Sequence, residues 1–292
     1  MSTRYGCIEA GGTKFVCAIG SAPDAIEART RIPTTTPAET LDHVTRFFAE
    51  HAPVAAFGIG SFGPVTVDPL SPRWGHFGPT PKAGWPDADI VAAVRGFGVA
   101  VGLDTDVTAA MLGEARWGAA RGTRTACYFT VGTGIGGGPI VDDHAVHGAS
   151  HPEMGHFFPK RHPDDTFPGL CPSHSDCIEG LASGPAIHAR WGASLSDLSP
   201  DHPAHGIIAF YVAQLAVTAV AVLAAERVVF GGGVLATPGL LDRVRDEATR
   251  LSAGYFLGAP IAERIVAAGL GGDAGIAGAM VLAERALVAS GR

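Results

Sequence analysis

This chain of 292 residues has no basic surplus: 21 Lys and Arg stand against 28 Asp and Glu, a formal net charge of −7. No Lys/Arg cluster offsets that balance locally. A nucleic-acid surface needs such a patch to neutralise phosphates, so no nucleic-acid partner is expected. The start, MSTRYGCIEAGGTKF, lacks the cationic stretch, apolar stretch and small-residue cleavage site of a secretory leader. Cysteine is sparse at five, and Cys7, Cys17 and Cys127 fall in apolar, strand-like segments where a reduced thiol behaves as a small hydrophobe. Both observations point to the cytoplasm. One apolar run, residues 207–225, approaches a membrane-spanning length. It is rich in Ala, broken by Gln214 and Thr218, and without flanking Lys/Arg clusters or a Trp belt, so it reads as a buried core helix rather than a membrane span. Also missing are a Walker A loop and a G-x-G-x-x-G followed by an acidic ribose partner.

What is present is a soluble composition, 47% apolar and 17% charged, at a length suited to two domains with separate cores. Residues 5–19 read as two strands around a Gly-Gly turn. Thr36-Pro37-Ala38-Glu39 is a helix start, with Thr36 as N-cap, Pro37 in the first turn and Glu39 completing a capping box; the helix is expected to reach about residue 49. Residues 54–60 read as a buried strand, and 68–88 as an irregular loop long enough to carry function. A short strand at 99–103 leads through Asp104-Thr105-Asp106 into a helix at 107–117. Strands at 127–131 and 138–141 then flank Thr133-Gly134-Ile135-Gly136-Gly137, an echo of the first glycine turn that hints at two similar α/β domains. Glycine turns of this kind, at Gly11-Gly12-Thr13-Lys14, Gly132-Thr133-Gly134, Gly231-Gly232-Gly233 and Gly271-Gly272-Asp273, present backbone N–H groups to phosphate oxygens without interference from a Cβ.

The densest chemistry runs from Glu153-Met154-Gly155-His156 to Cys171-Pro172-Ser173-His174-Ser175-Asp176-Cys177-Ile178-Glu179. C-x-x-H-x-x-C lets one short loop supply three ligands of a closed tetrahedral zinc site. His156 is the leading fourth ligand; His151 and His162 lie nearby but match no further motif. Glu153 and Glu179 bracket the ligand set with carboxylates.

In this order the motifs resemble the ROK family of sugar kinases and repressors, over essentially the whole chain. Glu9-Ala10-Gly11-Gly12-Thr13-Lys14 is similar to the family's first phosphate loop, Gly132-Thr133-Gly134-Ile135-Gly136 to its second, and Phe230-Gly231-Gly232-Gly233-Val234 to its adenosine motif. IEAGGTKF, TTTPAET, GIGSFGP and C-P-x-H-x-x-C resemble its zinc-containing bacterial fructokinase branch. The chain departs from the usual family pattern with Glu9 in place of Asp and Thr105-Asp106 in place of Asn-Asp, both consistent with that branch.

The resemblance implies an α/β, two-lobed actin-like/hexokinase-like (ribonuclease H-like) ATPase fold with a cleft between lobes. The N-terminal α/β lobe would span 1–120, completed by a helix at about 275–292. The C-terminal α/β lobe would span 121–274 and carry the zinc loop at about 151–180, with hinges near 118–122 and 273–276. The implied activity is ATP-dependent phosphorylation of D-fructose to fructose 6-phosphate, with mannose, glucose or an N-acetylhexosamine as the alternative sugar. A non-enzymatic sugar-binding protein is less expected, because the first phosphate loop begins at Glu9 and leaves no room for a helix-turn-helix domain. Asp106 would be the catalytic base, and Thr105, Asp106, Glu153, His156 and Glu179 would contact sugar, with residues 73–85 (Trp74, His76, Thr80, Lys82, Trp85) shaping the pocket. ATP would meet Gly11, Gly12, Thr13, Lys14, Thr133, Gly134, Pro185, Gly231, Gly232 and Gly233. Structural zinc would bind His156, Cys171, His174 and Cys177. Mg²⁺ would arrive with ATP, near acids such as Glu9 or Asp106. The expected assembly is a homodimer.

Overall fold

Local signals in the first third of the chain are met closely. In the computed structural model, which describes residues 2–291, β1 (Tyr5–Ala10) and β2 (Lys14–Gly20) form an antiparallel hairpin closed by a hydrogen bond of 3.0 Å from Gly11 N–H to the Lys14 carbonyl. β3 (Ile26–Pro33) pairs outside β2 and alternates exposed and half-buried residues, as an edge strand with one wet face should. Helix α1 (Pro37–His51) starts where Thr36 Oγ1 accepts the Glu39 N–H. The reciprocal half of the capping box differs: the Glu39 carboxylate takes the Thr35 hydroxyl at 2.6 Å rather than the Thr36 amide.

β4 (Ala56–Ser61), buried at every position, lies parallel to β1, and the long segment after it is a folded structure rather than an open loop. Isolated bridges pair Val65 with Phe77 and His76 with Asp89. Trp85 is fully buried against Phe15, Phe62 and Phe77, and its indole N–H reaches the Thr35 carbonyl at 2.8 Å. This corrects its expected place in the sugar pocket: an indole with its donor satisfied and its faces on three aromatics is a core residue. After α2 (Ala92–Arg95), β5 (Ala100–Thr105) runs parallel to β4 and gives way directly to α3 (Asp106–Trp117). The sheet order is β3-β2-β1-β4-β5.

The second sheet repeats this plan. β6 (Ala126–Val131) and β7 (Ile135–Val141) form its antiparallel hairpin, and β8 (His144–Ala145) adds to β7. β7 begins at Ile135, three residues earlier than the sequence suggests, because the turn proper is only Gly132-Thr133-Gly134. Helices α4 (Ile178–Ala182), α5 (Gly184–Trp191) and α6 (Ala204–Leu223) follow, then β9 (Arg227–Gly231), α7 (Leu240–Ser252), α8 (Ile261–Arg264) and β10 (Ile265–Ala267). The order β10-β9-β6-β7-β8, with β9 parallel to β6 and β10 parallel to β9, has the same pairing pattern as the first sheet. α6 is the apolar run noted in the sequence, and 61% of its most apolar window is buried inside this unit's core.

The chain divides into two compact units: residues 1–118, 147–151 and 270–292 in the first, and 119–146 and 152–269 in the second. The C-terminal helix (Ala274–Ala289) belongs to the first unit and lies close against α3. A Cβ at Gly278 would sit 1.6 Å from the Ala109 carbonyl oxygen, so only glycine permits this approach. The segment 147–151, which the sequence places in the second domain, instead joins the first unit.

Candidate functional site

In the first unit the chemistry gathers at the ends of β1 and β5. Glu9, next to last in β1, directs its carboxylate toward the C-terminal helix, where a Cβ on Gly275 would lie 2.6 Å from Glu9 Cδ. Glu9 Oε2 is buried without a hydrogen-bond partner among the described residues. Burial raises the Glu9 pKa, partly offset by Lys14 and Arg29. A buried, unpartnered carboxylate oxygen is a fitting acceptor for a hydrated cation, which suits the expected Mg²⁺. Beyond it the Gly11–Lys14 turn is held by Thr34, whose hydroxyl donates to the Gly11 carbonyl (2.7 Å) and whose N–H donates to the Thr13 carbonyl (2.9 Å). Gly12, Thr13 and Lys14 are exposed on this turn.

Thr105 and Asp106 stand at the junction of β5 and α3, where strand becomes helix without a loop. Thr105 is the N-cap: its buried hydroxyl accepts the Thr108 N–H (3.2 Å) and donates to the Thr108 hydroxyl (2.8 Å). The cap uses the hydroxyl's one hydrogen and one of its two lone pairs, which leaves the second lone pair as the acceptor it can offer a further partner. Asp106 is therefore the first helical residue, half-buried, with Oδ1 accepting the Val107 N–H at 2.9 Å. Before them, Asp104 is nearly buried; its Oδ1 accepts the Thr105 N–H at 2.8 Å, and His147 Nε2 approaches Oδ2 at 3.0 Å. That hydrogen bond raises the His147 pKa against the opposing effect of burial. His151, an alternative zinc ligand in the sequence, is buried in this unit, and its Nε2 accepts the Val65 N–H at 3.3 Å.

In the second unit His156, Cys171, His174 and Cys177 converge, with one ligand atom of each within 4.8 Å of all the others. His156 Nδ1 lies 3.9 Å from Cys171 Sγ and 3.5 Å from Cys177 Sγ, and His174 Nδ1 lies 3.7 Å from Cys171 Sγ. Two thiols and two imidazoles at such spacing form the donor set that zinc prefers. The C-x-x-H-x-x-C loop folds tightly because Cys171 and Ser175 exchange backbone hydrogen bonds of 3.1 and 2.9 Å. His162 is turned elsewhere: its N–H donates to the Tyr211 hydroxyl, and its ring packs edge-on against Phe210. Between His156 and Cys171 the chain has a second anchor at Asp165, whose carboxylate receives the Tyr211 hydroxyl (2.6 Å) and the Arg190 guanidinium (3.2 Å).

Ile135 connects this cluster to the second glycine turn. Its N–H donates to Glu179 Oε2 at 2.9 Å, from the first turn of α4, immediately after Cys177 and Ile178. Its carbonyl oxygen would lie 1.7 Å from a Cβ at Gly155, in the 3₁₀ turn Met154–His156 that follows Glu153. The Gly132 carbonyl accepts the Gly184 N–H at 2.7 Å, bringing the start of α5 with its exposed Pro185 to the same turn. Gly231 ends β9 and continues through Gly232 and Gly233 beside this turn, with a Cβ at Gly132 placed 3.7 Å from the Gly233 nitrogen. His156 Nε2 points away from the sulfurs and lies 4.0 Å from Glu153 Oε2. One ring can therefore face a metal through Nδ1 and a ligand through Nε2.

Sequence reasoning overlooked Asp104 and His147, which belong to no motif. A carboxylate two residues before Asp106 was the only available signal.

The chain is similar to known proteins over nearly its whole length. The profile described as ROK family matches residues 5–286. A fructokinase of Zymomonas mobilis subsp. mobilis is 49% identical over 288 residues, covering 96% of each chain. A fructokinase of Pediococcus pentosaceus is 42% identical, covering 97% of this chain and 98% of its own. Among solved structures, a ROK hexokinase from Thermus thermophilus superposes with a TM-score of 0.77 at 25% identity, covering 97% of this chain and 98% of its own. The profile match, the near full-length identities and the shared fold place this chain in the ROK family.

Proposed function

We propose that this chain transfers the γ-phosphoryl group of ATP to D-fructose, yielding fructose 6-phosphate and ADP. The observation that carries the reaction class is the junction at Ile135, where one residue ties an amide-rich glycine turn to the Glu179 carboxylate and to the turn bearing Glu153 and His156. Such a turn suits phosphate oxygens, and carboxylates beside an imidazole suit sugar hydroxyls. The sugar is read from the relatives named fructokinases, 49% and 42% identical over nearly their whole length.

In the proposed step Asp106 accepts the proton of the attacking sugar hydroxyl. That oxygen forms its bond to the γ-phosphorus as the bond to the β-phosphate oxygen breaks and ADP leaves. A positioned base of this kind is worth about 10² to 10⁴ in rate. Asp106 suits the role as the first helical residue, since Thr105 already caps the helix. Glu153, His156 and Glu179 would orient the sugar, and the turns at Gly11–Lys14, Gly132–Gly134 and Gly231–Gly233, with Pro185, would hold ATP. Bound Mg²⁺ supplies charge neutralisation on the phosphates, with Glu9 and Asp106 as the acids suited to meet its water shell. His156, Cys171, His174 and Cys177 would hold zinc, which would supply architecture when bound.

A coupled ADP-release assay across fructose, mannose, glucose and N-acetylmannosamine tests the reading. Fructose should give the highest kcat/KM, and a clear preference for glucose overturns the sugar assignment. Asp106→Ala should lower turnover by about 10² to 10⁴ with fructose binding still measurable by calorimetry. Near-normal turnover removes Asp106 from the role.

A further inference from the structure

The segment 147–151 leaves β8, joins the first unit, and carries a histidine at each end. His151 fastens one end by accepting the Val65 amide, and is almost fully buried there. At the other end His147 Nε2 faces both oxygens of Asp104, 3.2 Å from Oδ1 and 3.0 Å from Oδ2. An ionised carboxylate only accepts hydrogen bonds, so Nε2 carries the hydrogen and His147 donates. The Asp104 side chain is 5% exposed, against 36% for His147. Water therefore has little access to this carboxylate, and the imidazole is its main side-chain donor in the structure.

Asp104 in turn holds the Thr105 N–H, a group the helix leaves unused because Thr105 is its N-cap. The carboxylate sets the backbone of the cap residue, the cap sets the first turn of α3, and Asp106 is the first residue of that turn. We propose that His147 is a positioning residue for phosphoryl transfer, acting through Asp104 and the Thr105 cap to hold Asp106 at its working angle. The proposal rests on the reading of Asp106 as the base. Without the imidazole, Asp104 keeps, among the described residues, only the adjacent amide and turns to find another donor, releasing the strand-to-helix junction. Misplacing a reacting group by about 1 Å can cost on the order of 10²-fold.

The test separates rate from binding in the full-length protein. His147→Ala should lower kcat for fructose phosphorylation by roughly 10- to 100-fold, while the fructose Kd from calorimetry changes less than about threefold. His147→Gln places an amide N–H where Nε2 stands and should restore kcat to within about threefold of the parent; His147→Asn is too short and should not. Asp104→Asn should match the kcat loss of His147→Ala, because it sets an amide against the imidazole donor. Unchanged kcat in His147→Ala overturns the proposal. So does an equal loss of kcat in the Gln and Asn variants, or a loss of fructose binding in step with kcat, since each marks a general folding role. Should His147→Ala not fold, the Gln and Asn variants decide alone. Asp106→Ala is measured beside them: if it keeps its turnover the base reading fails, whereas its collapse beside an unaffected His147→Ala refutes only the positioning role.

Discussion

The two glycine hairpin turns, β1–β2 in the first unit and β6–β7 in the second, follow one strand plan but are braced differently. The second is internally complete: Glu179 receives the Ile135 amide, Gly155 abuts the Ile135 carbonyl, and α5 donates to Gly132. The first is braced by Thr34 on its β3 side, while its nearby acid, Glu9, keeps one buried carboxylate oxygen unpartnered among the described residues. A repeated topology has thus been loaded unequally. The second turn is tied to the segments that carry the candidate metal ligands, and the first stands beside a buried acid with, among the described residues, an oxygen still open to a partner.

The largest effect expected from this contrast is on metal removal. Chelation should raise the fructose KM severalfold or abolish activity, while circular dichroism shows most helix and sheet retained. The Asp165 anchor to Tyr211 and Arg190 and the α6 core remain when the four ligands part. Unchanged kinetics in a verified zinc-free sample would remove the metal from the bracing of the second turn. Next comes Gly155→Ala, whose Cβ meets backbone that cannot retreat; overpacking of this sort costs about 1 to 3 kcal/mol and should lower Tm. Gly12→Ala is its counterpart in the first turn, with nothing within 4 Å of the added Cβ. Its Tm should change by less than about 0.5 kcal/mol equivalent while the ATP KM rises. Equal thermal losses in the two variants would erase the distinction.

A smaller effect is expected of Glu9→Gln, which removes a desolvated charge. Its melting temperature should stay level or rise slightly, and turnover with Mg-ATP should fall; a clear loss of stability would show that the carboxylate is already satisfied. The smallest concerns pH. His147 has a raised folded pKa, so its bond to Asp104 contributes stability that is full below the unfolded value, about 6.5, and fades as pH rises through the folded value. Melting curves from pH 6 to 8.5 should show this decline in the parent and a flatter profile in His147→Gln. Identical slopes would discount the pair.

Much of this was legible locally. The β1–β2 hairpin, the Thr36 cap with Pro37, and the C-x-x-H-x-x-C loop each depend on residues a few positions apart, and each forms where its pattern lies. His156 was singled out because it closes Glu153-Met154-Gly155-His156, although it meets Cys171 fifteen residues on. Less legible were features whose partners are remote in sequence. Trp85 read as a pocket residue because its aromatic neighbours Phe15, in β2, and Phe62, just after β4, are remote in sequence. The capping role of Thr105 was not legible because only the direct passage from β5 into α3 makes it a cap.

By itself the sequence determined the α/β class, the paired glycine turns, the Cys/His group that could hold a metal, and membership in a sugar kinase family. Those properties rest on short-range spacing, which covalent geometry converts directly into turns, caps and ligand loops. Tertiary structure alone decided that residues 147–151 join the first unit, that His151 serves Val65 rather than a metal, and that His147 meets Asp104 across 43 positions. Such pairings follow from how strands and segments are brought together in the folded unit, and no local pattern encodes them.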